Sequence, residues 1–221
     1  MLPAYFDLSS PRAIRESLRK AWLFFRVRHH TLTRPSRLNV LYTLADRLDR
    51  DGIPGAIVEC GVYRGGSAAV MAAGSRGRRD VHLFDSFQGL PPPGEKDGRL
   101  AHEQFHQGWC AADVEQVRAL LRRQLSADRL HVHPGWFHET LPHARIPQIA
   151  LLHIDADWYD SVLLCLRTFY DAVSPRGFVV LDDYGRWEGC TRATNDFLEE
   201  RGLDGTVTVR NPPHHFFQKP E

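Results

Sequence analysis

The chain has 221 residues, enough for one buried core of the larger α/β kind, and its 28 Lys and Arg against 27 Asp and Glu exclude the cationic surplus of a general nucleic-acid binder. Cys60, Cys110, Cys165 and Cys190 show no CxxC spacing, which fits reduced thiols in a cytoplasm. No apolar run nears the roughly 20 residues that cross a bilayer, and the first residues lack a basic segment followed by an apolar one, so neither membrane insertion nor secretion is expected.

The first fifty residues are locally basic, with ten Arg or Lys against four acids. Within them Ile14, Leu18, Trp22 and Phe25 recur at helical spacing, a stripe expected to dock on the chain's own domain or on a second subunit, with an anionic lipid surface as the alternative. Arg37 to Arg50 forms a second helix. Residues 1–52 thus make a helical arm before a core of residues 53–221. In that core AIVEC (Ala56 to Cys60) is a strand, Gly65 to Ala73 a helix of small residues, and VHLF (Val81 to Phe84) a strand stopped by Asp85. Ser86 to Trp109 is too long for a plain connection and reads as a lid. Helices follow at Asp113 to Leu125, Tyr159 to Val173 and Thr191 to Arg201, and strands at Leu130 to His133, Ile149 to Ile154 and Phe178 to Leu181. Gly205 to Val209 and His215 to Gln218 flank Asn211-Pro212-Pro213 as a terminal antiparallel hairpin. The alternation predicts a single α/β domain with a doubly wound, mainly parallel sheet.

Two acidic clusters come directly after apolar strands: His153-Ile-Asp155-Ala-Asp157-Trp-Tyr-Asp160, and Leu181-Asp182-Asp183-Tyr-Gly185. Parallel strands carry both to one sheet edge, where packed carboxylates repel and an oxygen-seeking divalent cation such as Mg²⁺ keeps them ionised. Glycines at Gly61, Gly65 and Gly66 place a strand-to-helix turn where a cofactor can approach the backbone. The spacing is neither a dinucleotide fingerprint nor a Walker motif. Asp85 ends the next strand, a position from which a carboxylate can accept both hydroxyls of a ribose. Asp160 is read as the cap of the helix beginning at Tyr159, and His153 as a hydrogen-bonded core histidine.

Taken in order, VECGVYRGGSA, LFDSFQGLPPP, GWFHETLP, HIDADWYDS, FVVLDDYG and GCTRATNDF make the chain, from about Val58 to Arg201, resemble the macrocin O-methyltransferase family of class I S-adenosylmethionine methyltransferases. The resemblance implies a Rossmann-like methyltransferase fold, S-adenosylmethionine as cofactor, and a divalent metal on Asp155, Asp182 and Asp183. It also implies Asp157 as general base beside Asp155, and cofactor contacts from Glu59, Gly61, Tyr63, Arg64, Gly65, Ser67, Asp85 and Ser86. The family's LDGDLYEST pattern is replaced here by Ala156, Trp158, Asp160 and Val162 at the variable places, so the pocket wall differs while the metal-type acids remain.

The implied chemistry is metal-assisted methylation of a sugar hydroxyl on a glycoside, natural product or polysaccharide precursor. Coordination lowers the pKa of a poor nucleophile and fixes its oxygen in line with the methyl group. The competing expectations are a catechol or phenol acceptor, and a non-catalytic cofactor-binding assembly subunit. His102, His106 and His138 are alternative bases. Phe87, Trp109, Trp136, Trp158 and Trp187 are candidates for stacking, with Trp158 and Trp187 the expected acceptor contacts. A homo-oligomer is the expected assembly.

Overall fold

The computed structural model describes residues 6–203 and 215–221. Helix α1 (Pro11–Val27) starts with Pro11 in its first turn, and the Ser10 side chain accepts a hydrogen bond from the Ala13 amide at 3.1 Å. Helix α2 (Pro35–Arg50) also opens on proline. Then come β1 (Ala56–Cys60), α3 (Gly66–Gly74), β2 (Val81–Asp85), the short α4 (Gly98–Gln104) inside the lid, α5 (Val114–Leu121) and β3 (Leu130–Pro134). The chain ends with α6 (Phe137–Thr140), β4 (Ile149–Ile154), α7 (Tyr159–Phe169), β5 (Val173–Leu181), α8 (Glu188–Glu200) and β6 (His215–Gln218).

One six-stranded sheet runs in the order β3-β2-β1-β4-β5-β6, parallel throughout except for β6. The expected doubly wound sheet is therefore present, with β6 pairing antiparallel to β5; the other arm of the expected hairpin, Gly205 to Val209, lies outside the described residues. Every residue of β1 and β4 is buried, because helices cover both faces of a parallel sheet and its strands become continuous apolar runs. One core lies between the sheet and α1, α2, α3 and α5, the other between the sheet and α7 and α8. The small residues of α3 let backbones approach: a Cβ at Gly74 would lie 2.6 Å from the Tyr42 carbonyl oxygen.

Several boundaries differ from the sequence expectation. Helix α7 stops at Phe169, and β5 begins at Val173 because Val173 pairs with Ile149 before a register shift, so the irregular Ser174-Pro-Arg-Gly177 belongs inside the strand. Lys219 holds the turn between them, its ammonium donating to the carbonyls of Tyr170, Asp171 and Val173 at 2.8 to 3.1 Å. Helix α8 starts three residues early, at Glu188.

A further difference concerns the face on which α1 docks. It does dock on its own domain, but through Leu23, Phe24 and Val27, while Leu18, Trp22 and Phe25 stay more than half exposed. The helix carries two apolar faces, and the stripe singled out by spacing is the outer one. Phe24→Ala should therefore cost about 3–5 kcal/mol in urea denaturation. Trp22→Ser should stay within about 0.5 kcal/mol, and equal losses would contradict this orientation.

Candidate functional site

The sheet order reverses between β1 and β4, and in such folds the crevice at the carboxyl ends of these strands is where ligands bind. Ladder hydrogen bonds continue past the strand ends: Gly61 N–H to Phe84 O at 2.9 Å, Asp155 N–H to Cys60 O at 2.8 Å, and Asp182 N–H to Ile154 O at 2.9 Å. These bonds carry Gly61, Asp155 and Asp182 to the rim in fixed register. Gly61 sits at φ 86°, and a Cβ there would fall 1.7 Å from the Asp155 carbonyl oxygen. Only glycine allows the two strand ends to close that tightly.

A cavity of about 940 Å³ opens above this rim. Gly61, Tyr63, Ser67, Asp85 and Ser86 line its β1–β2 side. The Asp85 carboxylate accepts from the amides of Val62 at 2.6 Å, Tyr63 at 2.9 Å and Phe87 at 2.6 Å, binding the glycine turn to the end of β2. Burial pushes the Asp85 pKa up and these three N–H donors pull it back. Other cofactor positions expected from sequence are not on the wall. Glu59 is fully buried beneath it and pairs with His153 at 2.9 Å, because the β alternation turns it into the core. The Arg64 guanidinium lies over the Tyr63 ring, and Gly65 packs against Val117 and Leu121 as it starts α3.

On the β4–β5 side, carboxylate oxygens of Asp155, Asp157 and Asp183 all lie within 4.8 Å of one another. The Asp157 amide donates to Asp183 Oδ2 at 3.3 Å, and Asp157 holds a positive φ of 54°. A non-glycine residue in that region is strained by about 1 kcal/mol or more, and such strain concentrates at functional sites. Tyr63 and Cys110, also at positive φ, line the same cavity. Asp182 joins the group from the side: its carboxylate pairs with Arg37 at 3.0 Å and faces His153 Nε2 at 3.8 Å, while Arg37 also donates to the Asp182 carbonyl. The three acids assigned to metal by resemblance are thus all at the rim, but the tightest trio contains Asp157, with Asp182 on its flank.

Burial, then the neighbouring carboxylates, push the Asp155 pKa well above the ordinary range, and burial with Asp183 does the same to Asp157. Asp183 is pushed up to about 6 by burial and by Asp182, with Arg186 and Arg37 offsetting part of this. Against the cost of burial, Asp182 and Glu59 push His153 up to about 9. His153 is the core histidine that the sequence suggested, and its charge offsets two acids. An all-oxygen donor set this close, short of positive charge, fits a hard divalent cation.

The lid and aromatics complete the walls. Trp158 and Trp109 line the cavity and meet edge to face at 6.4 Å, while Trp187 packs behind them at 5.3 Å from Trp158. Trp136 also lines it; Phe87 packs into the core on the α3 side instead. Of the alternative bases only His138 reaches the wall, His102 pairing with the Gly94 carbonyl and His106 stacking on Trp109. Asp160 does not cap α7; the Tyr159 amide donates instead to Asp97 of the lid, at 2.6 Å. Sequence reasoning missed Arg37, Asp97 and His215, for these reach the site only through long-range packing.

A model of the macrocin-O-methyltransferase (TylF) family matches residues 10–219. A relative from Streptomyces olivaceus, 8-demethyl-8-(2,3-dimethoxy-alpha-L-rhamnosyl)-tetracenomycin-C 4'-O-methyltransferase, is 36% identical over 81% of this chain and 71% of its own. Mycinamicin III 3''-O-methyltransferase of Micromonospora griseorubida is 32% identical, covering 80% of this chain and 74% of its own. The solved structure of the O-methyltransferase NovP superposes with a TM-score of 0.75 at 30% identity, over 87% of this chain and 83% of that one.

The clustered acids make metal-free stability depend on pH. A carboxyl whose pKa is raised in the fold binds its proton more tightly there than in the unfolded chain, so stability falls as pH rises from the unfolded value through the folded one. For Asp183 that window runs from 3.8 to about 6. In EDTA, Asp183→Asn should stabilise the protein by on the order of 2 kcal/mol at pH 7 and by little at pH 3.5, read by denaturant melts. Destabilisation at pH 7 would show that the acids are not in conflict.

Proposed function

Because the chain belongs to the macrocin-O-methyltransferase family and is an O-methyltransferase, we propose that it moves the methyl group of S-adenosylmethionine to a sugar hydroxyl of a glycosylated natural product, assisted by a divalent cation. The observation that carries this is the convergence of Asp155, Asp157 and Asp183 at the rim, directly across the switch point from the glycine turn. The relatives' names, one a 4'-O- and the other a 3''-O-methyltransferase, support a sugar acceptor without fixing which hydroxyl reacts.

Gly61, Tyr63, Ser67, Asp85 and Ser86 would hold the methyl donor, their hydroxyl and carboxylate groups suiting a polar-ended nucleoside. Gly61 keeps the floor open and Asp85 holds the turn rigid. Glu59, Arg64 and Gly65 serve this wall from outside the cavity, Glu59 through its bond to His153. Asp155 and Asp183 would hold the cation, with Asp182, fixed by Arg37, on the flank of the acidic side. When bound, the cation acidifies the acceptor hydroxyl and orients its oxygen toward the methyl group.

Asp157 is the base. Its carboxylate sits in the trio beside the acids that would hold the cation, where it would face the hydroxyl that the cation orients. As the proton passes to Asp157, the oxygen–methyl bond forms and the sulfur–methyl bond breaks, leaving S-adenosylhomocysteine. Trp158, Trp109 and the lid exclude water, which would otherwise screen the site and compete for the methyl group.

Labelled methyl transfer from S-adenosylmethionine to a panel of deoxysugar glycosides and catechols tests this reading. Glycosides should be methylated in Mg²⁺ and not in EDTA. Asp157→Asn should lower kcat by about 10²- to 10⁴-fold, with S-adenosylhomocysteine affinity unchanged. Full activity in that variant removes Asp157 as base, and methylation of catechols alone moves the acceptor to phenols.

A further inference from the structure

We infer that Asp97 is a positioning residue that ties the lid to the aspartate loop, so that displacing its carboxylate from the Tyr159 amide loosens the lid and weakens metal affinity together. The inference rests on the proposed role of Asp155, Asp182 and Asp183 in holding a cation. Asp97 is 3% exposed and lies in the lid, yet its carboxylate makes two bonds in different elements. Oδ2 accepts from the Gly94 amide at 2.7 Å, closing the lid's own turn. Oδ1 accepts from the Tyr159 amide at 2.6 Å, supplying the cap that α7 would otherwise lack. Helix α7 has no side-chain cap from its own preceding residue, so the first donor of the helix is satisfied across the cavity mouth rather than along the chain.

Tyr159 comes directly after the strained segment. Upstream, the Asp155 amide is tied to Cys60 O at 2.8 Å; within the segment the Asp157 amide donates to Asp183 Oδ2 at 3.3 Å, and downstream the Tyr159 amide donates to Asp97 at 2.6 Å. Between these anchors Asp157 is held at φ 54° and the Trp158 amide folds back on Ala156 O at 2.6 Å. A loop held in a sparsely populated conformation keeps it only while its ends are fixed. The lid holds the downstream end a second time, for the Trp158 indole N–H donates to Pro91 O at 2.8 Å. Gly189 of α8 forms the socket: a Cβ there would lie 1.9 Å from Asp97 Oδ1 and 2.8 Å from the Tyr159 amide nitrogen. Glycine is required at that helix position so that the carboxylate can enter.

Three variants separate the two bonds. Asp97→Ala loses both. Asp97→Asn keeps an acceptor for Tyr159 but turns an N–H toward the Gly94 N–H, loosening the lid side alone. Gly189→Ala leaves the carboxylate intact and displaces it. Mn²⁺ titration of the S-adenosylhomocysteine-saturated protein, followed by electron paramagnetic resonance, reads the metal side; hydrogen exchange of the lid amides 89–104 reads the latch itself. Asp97→Ala and Gly189→Ala should each weaken Mn²⁺ about tenfold, the size expected when a group that orients ligands is removed. Asp97→Asn should weaken it less than threefold, and lid exchange should rise in all three. S-adenosylhomocysteine affinity should stay within about twofold, since Asp97 does not touch the Gly61–Asp85 wall.

Unchanged Mn²⁺ affinity with a lowered Tm would make Asp97 a structural residue only and overturn the coupling. Should Asp97→Ala fail to fold, the contrast between Asp97→Asn and Gly189→Ala decides. Failure of the wild-type protein to bind Mn²⁺ would remove the metal reading and the coupling with it. In that case rising lid exchange would still show that the latch exists, so the two failures are distinguishable.

Discussion

The arrangement turns on mutual repulsion among the carboxylates at the ends of β4 and β5. Asp155, Asp157 and Asp183 bring oxygens within 4.8 Å of one another, with Asp182 alongside. In water such groups would separate; here strand ladders and loop anchors hold them together, and burial strengthens the repulsion. A fold that keeps this arrangement must offset it, and the surrounding features do so in two ways. Some supply positive charge from the protein, and the rest prevent the loops from relaxing apart.

The protein's own charge comes from below and from the side. Glu59, His153, Asp182 and the part-exposed Arg37 follow one another from β1 through β4 and β5 to α2, basic side chains alternating with acids at 2.9, 3.8 and 3.0 Å. The series links the N-terminal arm to the rim: Arg37 enters from α2, and the Gly66 amide donates to His30 O at 2.9 Å, fixing the loop between α1 and α2 against α3. The arm is therefore part of the site. Its outer apolar face, with Leu18, Trp22 and Phe25, plays no part in this anchoring.

Much of this was legible in the sequence, for a definable reason. Buried parallel strands read as short apolar runs, and the residues at their carboxyl ends must share one sheet edge, so Asp85, Asp155, Asp182 and Asp183 could be placed there from the sequence alone. The ordered motifs then pointed to the family that the comparisons established. Features that depend on side-chain direction or distant packing were not legible. Strand alternation buries Glu59 beneath the wall, although its motif suggests a cofactor contact. Spacing found an apolar face on α1 but not which of two faces docks. The sequence pattern began α8 only at Thr191, whereas the helix runs from Glu188 through Gly189, where glycine admits Asp97. Asp160 has the residue type and position of a cap, yet a residue 62 positions from Tyr159 takes that role.

The fold thus separates two tasks across one switch point, a rigid glycine turn held by Asp85 on one side and an acidic, strained loop on the other. The proposed methyl transfer depends on the donor occupying the turn, so the most direct measurement is calorimetric titration of the purified protein with S-adenosylhomocysteine, in Mg²⁺ and in EDTA. The account predicts a single site of micromolar affinity in Mg²⁺. No binding under either condition would contradict it.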